Sequence, residues 1–85
     1  MAVNVDIRAK LPKDALVFDN HAYDNSIIGV TLDGRVIYDY DAMIQELMAD
    51  ESWDELDAIE WIDYNTIRAL PYAGNKAPVI VRSDI

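Results

Sequence analysis

Residues 27–40, Ile27-Ile28-Gly29-Val30-Thr31-Leu32-Asp33-Gly34-Arg35-Val36-Ile37-Tyr38-Asp39-Tyr40, decide the fold class of this chain. Two runs rich in β-branched and aromatic residues flank Asp33-Gly34, a pair suited to the tight turn that matches the right-handed twist of paired strands. The pattern predicts an antiparallel hairpin. With a two-residue loop, Leu32 faces Arg35, Val30 faces Ile37 and Ile28 faces Asp39. Side chains alternate across a strand, so Val30, Ile37, Ile28 and Leu32 are expected on the core face. Ile27, Gly29, Thr31, Val36, Tyr38 and Tyr40 are expected on the opposite face.

After the hairpin the apolar period lengthens. Met43, Ile44, Leu47 and Met48 recur at three- and four-residue spacing, which predicts a helix over about 41–49 capped by Asp39 or Asp41. Ser52-Trp53-Asp54-Glu55 matches a capping box, so a second helix is expected over 53–69, ended by Pro71. Its apolar arc holds Leu56, Ile59, Ile62, Ile67 and Leu70, with Ala58 and Ala69 at the margin. Asp63 falls inside that arc or at its edge; inside, it needs a partner such as Arg68, Arg82, His21 or a backbone cap. Ahead of the hairpin, Ala15-Leu16-Val17-Phe18 reads as a buried strand and residues 19–26 as a polar loop. Pro78-Val79-Ile80-Val81 reads as a last strand. Val3, Val5 and Ile7 alternate as a frayed strand would.

The expected architecture is α+β: a small, mostly antiparallel sheet, made of hairpin 27–40 and strands near 15–18 and 78–82, packed against two helices at 41–49 and 53–69. At 85 residues there is room for one hydrophobic core, so one domain spans 1–85, with residues 1–12 frayed. An apolar content of 52% places the chain among folding sequences despite its formal charge of -9. Cysteine is absent, which removes disulfides and thiolate zinc sites and fits a cytoplasmic protein. No run of signal-peptide or membrane-spanning character is visible, so export and membrane insertion are not expected.

The charge is unevenly placed. Ten of the sixteen acids (Asp39, Asp41, Glu46, Asp50, Glu51, Asp54, Glu55, Asp57, Glu60 and Asp63) fall between residues 39 and 63, where there is no Lys or Arg. That stretch carries -10 and the rest of the chain +1. Phosphate binding needs clustered cations, so direct contact with nucleic acid is not expected. A face of spaced carboxylates can instead steer a basic protein partner, or imitate the phosphate rows of a nucleic acid and occupy its binding site. The plainer reading is that these acids favour two helix N-termini and keep a small protein soluble.

Opposite the apolar arc of the second helix lie Asp57, Trp61, Tyr64 and Arg68. Aromatic and Arg side chains outside a core are the kinds enriched at interaction hot spots. The candidate partner surface is therefore Asp50, Glu51, Asp54, Asp57, Glu60, Trp61, Tyr64 and Arg68. Catalysis is not expected: the single His has no nucleophile motif around it, and three glycines make no phosphate loop. Asp19, His21 and Asp24 lack the spacing of a metal or acid/base site and read as turn chemistry. No cofactor is expected.

Longer strings add a resemblance. Val17-Phe18-Asp19-Asn20, Tyr23-Asp24, the run from Asp33-Gly34-Arg35 to Asp41 and, above all, Ile62-Asp63-Tyr64-Asn65-Thr66-Ile67-Arg68-Ala69-Leu70-Pro71-Tyr72 resemble a family of small acidic proteins encoded by bacteria, phages and mobile elements. The likeness covers about 14–81. The family carries no assigned activity. Small acidic proteins of such genomes are often inhibitors of host defence, including anti-CRISPR proteins that imitate DNA, so the resemblance implies an inhibitor of a nucleic-acid-binding host protein. The alternative expectation is a structural, self-associating domain, a homodimer formed through the Tyr38 and Tyr40 face or an open edge strand.

Overall fold

A computed structural model describes residues 7–82 and has the expected α+β class. Strand β1 (Ile27–Val30) and strand β2 (Val36–Asp39) form the hairpin. Helix α1 (Tyr40–Glu51) and helix α2 (Glu55–Trp61) follow, and strand β3 (Val79–Val81) closes a sheet of order β1-β2-β3. The sheet is mixed rather than mostly antiparallel, because β3 runs parallel to β2. A parallel return needs a long crossover over one face of the sheet, and the two helices are contained in it.

The hairpin turns one residue differently from the two-residue expectation. Gly34 N–H donates to the Thr31 carbonyl at 3.0 Å, Thr31 N–H to the Arg35 carbonyl at 2.7 Å, and Arg35 N–H to Thr31 Oγ1 at 2.8 Å. Gly34 has φ of 89°, a left-handed conformation that glycine adopts without a Cβ penalty. The loop is thus the three-residue Leu32-Asp33-Gly34, and Val30 pairs with Val36 and Gly29 with Ile37. A one-residue slip exchanges the two faces of a strand. Val36 and Tyr38, expected on the outer face, are completely buried, while Ile28, Val30 and Leu32, expected in the core, are exposed. A register irregularity between Ile27 and Gly29 brings Ile27 opposite Tyr38.

The core is made by Tyr23, Val36, Tyr38, Met43, Ile44, Leu47, Ala58 and Ile62. The α1 stripe falls as its period requires, with Met43, Ile44 and Leu47 buried and Met48 packed at the margin. Asp39 occupies the N-cap of α1, but its side chain makes no capping hydrogen bond. At the other end Ser52 is not an N-cap. It takes the left-handed position after α1, with φ of 59°, and Trp53 N–H reaches back to the Met48 carbonyl at 3.2 Å. The cap of α2 is Asp54, which accepts from Asp57 N–H at 2.9 Å.

Regular α-helix stops at Trp61. Residues Ile62–Ile67 continue as a π-helical turn, and Leu70–Tyr72 form a 3-10 turn, so the predicted helix over 53–69 is two kinds of helix joined end to end. The widened turn rotates the later residues out of the α-helical wheel. Thr66, within that turn, is buried; Leu56, ahead of it in α2 and predicted for the core, is 63% exposed.

The segment 15–18 is extended but pairs with no strand. At its end the Phe18 backbone is satisfied by side chains: Phe18 N–H donates to the Tyr38 hydroxyl at 3.1 Å, and Arg8 NH2 donates to the Phe18 carbonyl at 2.8 Å, while Ala15 N–H donates to the Pro12 carbonyl at 3.0 Å. Residues His21–Ser26, predicted as loop, form a 3-10 helix capped by Asn20, whose side chain accepts from Ala22 N–H at 3.0 Å. This helix lies against α1. Of the alternating Val3, Val5 and Ile7, the first two lie outside the described residues, and Ile7 starts a short 3-10 turn, Arg8–Lys10, rather than a strand.

Candidate functional site: an acidic aromatic groove

The break between α1 and α2 sets up the candidate site. The left-handed Ser52 reverses the chain, and Trp53 then lies beside Trp61, eight residues further along, with ring centroids 5.5 Å apart and planes inclined at 54°. Trp53 is half-buried and packs on the core, whereas Trp61 is 45% exposed. Tyr64, on the π-helical turn, is 69% exposed and carries the Arg68 guanidinium 5.3 Å from its ring centre. Trp53, Asp57, Glu60, Trp61, Tyr64 and Asn65 line one open groove. An indole pair walls it and two exposed carboxylate side chains share its lining.

Of the sequence-predicted surface, Asp57, Glu60, Trp61 and Tyr64 come together in this groove, and Arg68 stacks on its edge residue. Asp54 is exposed but its carboxylate is used as the α2 cap. Asp50 and Glu51 are exposed at the end of α1 and do not line the groove. Trp53 and Asn65 belong to the site and were not among the predicted residues. Trp53 reads in sequence as the interior of a capping box, and only the turn at Ser52 brings it to Trp61. Asn65 donates from Nδ2 to the Trp61 carbonyl at 3.2 Å, one of the side-chain bonds that accompany the π-helical turn.

Other acids of the 39–63 stretch are engaged within the fold. Asp63 is exposed rather than core-facing, and it accepts from the Tyr40 hydroxyl at 3.2 Å, a partner outside the predicted set. Asp41 lies 3.8 Å from Arg82, and Glu46 accepts from Asn25 at 2.8 Å. The charge is therefore locally balanced near β3 and unbalanced along α2.

The Asp19, His21 and Asp24 group takes another role. Asp24 is buried and bound by Arg8, whose Nε donates to both carboxylate oxygens at 3.0 and 2.9 Å while NH2 stands 2.9 Å from one of them. The paired carboxylate holds the Arg8 guanidinium above its ordinary pKa. His21 Nδ1 stands 3.4 Å from the same carboxylate with its ring largely exposed. Among the described residues no group of three or more His, Cys, Asp or Glu is placed to hold a metal ion.

A second hollow, of about 390 Å³, lies between residues Leu16 to Asn20 and the stretch from Asn65 to Ala73, with Pro78 at its rim. For self-association, Tyr38 is completely buried and offers no surface, which removes the Tyr38 face as a dimer contact. The β1 edge does carry exposed apolar side chains, Ile28 and Val30. No helix among the described residues is long and apolar enough to cross a membrane.

Comparison with protein-family models, with curated proteins and with solved structures gave no match to this chain.

Proposed function

We propose that the chain is a non-enzymatic protein-interaction module that docks on a basic, nucleic-acid-binding protein in the cytoplasm. In this reading it acts as a phage or mobile-element inhibitor, an anti-CRISPR-like occupant of a site made for DNA or guide RNA. The observation that carries the proposal is the groove of Trp53, Trp61 and Tyr64 lined by Asp57 and Glu60, in a stretch that supplies no Lys or Arg from residue 39 to 63. A merely solubilising acidic surface has no use for two large aromatics left partly exposed beside it. Paired aromatics supply contact area at the centre of an interface, and the surrounding carboxylates supply steering and choice of partner.

Competition measures this directly. The protein should displace DNA or guide RNA from a basic nucleic-acid-binding protein, and more weakly as salt is raised, since exposed charges are screened over about 8 Å at physiological ionic strength. Charge reversal at Asp57 and Glu60, the two acids that line the groove, should abolish the competition. Competition that survives the reversal removes the mimicry reading.

A further inference from the structure

The groove is specific enough in its chemistry to name what it would hold. Its walls are two indoles inclined at 54° and the Tyr64 ring, and the ionisable side chains lining it are Asp57 and Glu60. A cation that seats here must present a flat, weakly hydrated face to indole and donors to carboxylates at its edge. A guanidinium does both, because it stacks on aromatic faces and carries five N–H donors in a rigid plane. An ammonium is a compact, strongly hydrated charge that gains less from an open aromatic wall.

The chain already makes one such contact on itself. Arg68 lays its guanidinium over Tyr64, with Cζ 5.3 Å from the ring centre. That occupies one face of Tyr64, while Trp61 remains 45% exposed. The groove has aromatic surface and negative charge beyond what Arg68 uses.

We infer that the groove beside the Trp53–Trp61 pair is the seat of a single arginine side chain of the basic partner, stacked on the exposed Trp61 ring, with Asp57 and Glu60 receiving its N–H groups. This rests on the reading of the acidic face as the partner surface and adds the identity of the anchoring residue. Trp61 supplies the stacking surface, Trp53 ties it to the core by ring contact at 5.5 Å, and Arg68 stands over the Tyr64 ring.

The two tryptophans of the chain both wall the groove, so indole emission reports its occupancy without a label. The titration uses an oligo-arginine peptide, an oligolysine peptide of equal length and an oligocitrulline peptide, with dye-labelled copies followed by anisotropy to measure binding independently. The arginine peptide should bind and change indole emission saturably, the lysine peptide should bind roughly threefold or more weakly with a smaller emission change, and citrulline should not bind.

Trp61→Ala should weaken the arginine peptide about two- to fivefold and leave the lysine peptide nearly unchanged, whereas Trp61→Phe should keep most of the preference. Circular dichroism of each variant confirms that it is folded. Equal affinity for arginine and lysine, or an arginine affinity that Trp61→Ala does not alter, overturns the arginine seat while leaving a general cation-binding face intact. Failure of both basic peptides to bind overturns the seat and the cationic-partner reading together.

Discussion

The protein contains two aromatic clusters of nearly equal size and opposite design. In the first, Phe18 stands 5.8 Å from Tyr23 and 4.6 Å from Tyr38, centroid to centroid, and both tyrosines are within 2% of full burial. Their hydroxyls are occupied, Tyr38 by Phe18 N–H and Tyr23 by Thr66 at 3.5 Å. In the second, Trp53, Trp61 and Tyr64 stand beside acids on an open groove. The first cluster binds the N-terminal segment, the hairpin and the π-helical turn to one another. The second is only partly enclosed, with Trp53 packed on the core but Trp61 45% and Tyr64 69% exposed, and those exposed faces are available to a partner.

The largest expected effect breaks the comparison at its buried side. Tyr38→Ala should cost about 3–5 kcal/mol of unfolding free energy, because it removes a fully enclosed ring and leaves the Phe18 N–H without its acceptor. Trp61→Ala should cost less, about 1–2 kcal/mol, because its ring is 45% exposed and its main contact is Trp53. Chemical denaturation of the two variants measures both, and similar losses would mean that the groove is structural.

Next in size is the latch over the buried cluster. Arg8 joins Asp24 and the Phe18 carbonyl in one grip, and Asp24 is only 7% exposed. Arg8→Ala strands that carboxylate and should cost about 2 kcal/mol, discounted from a fully buried pair because the Arg8 side chain is 27% exposed. Denaturant melts of Arg8→Ala and of the double variant with Asp24→Asn should show the second change restoring part of the loss.

The smallest effect is a pH dependence confined to the tyrosines of the fold. Burial raises the pKa of Tyr23 and Tyr38 above the ordinary value of 10.0, and burial together with the neighbouring Asp63 raises Tyr40. A folded pKa above the unfolded one means that the folded state holds its proton longer. The stability tied to these hydroxyls is fully present below pH 10 and declines as pH climbs above it through the folded values. Melting temperature followed across that range should fall, and Tyr38→Phe should blunt the fall.

How much of this was legible in the sequence differs between the clusters as well. The hairpin, α1 with its Met43, Ile44 and Leu47 stripe, and the outward position of Trp61 and Tyr64 all follow from local pattern, which depends on period and turn chemistry alone. The face of β2 did not, because Asp33-Gly34 serves both two- and three-residue loops and the choice rests on Gly34 closing onto Thr31. The parallel run of β3 depends on a crossover that no local pattern encodes. Residues 15–18 look like a strand because the sequence cannot reveal that Arg8 and the Tyr38 hydroxyl take the Phe18 backbone groups in place of a neighbouring strand. Trp53 was hidden for a similar reason, since its place beside Trp61 is set by the left-handed turn at Ser52.

The claim that joins these observations is that the acidic aromatic groove is built for a basic partner and not for the stability of the fold. Its most direct test is the variant charge-reversed at Asp57 and Glu60, with the Asp54 cap of α2 left in place, assayed in parallel for melting temperature and for competition with nucleic acid on a basic binding protein. The account predicts a melting temperature within a few degrees of the native chain and a competition signal that disappears. Unchanged competition, or a loss of competition that merely follows unfolding, would contradict it.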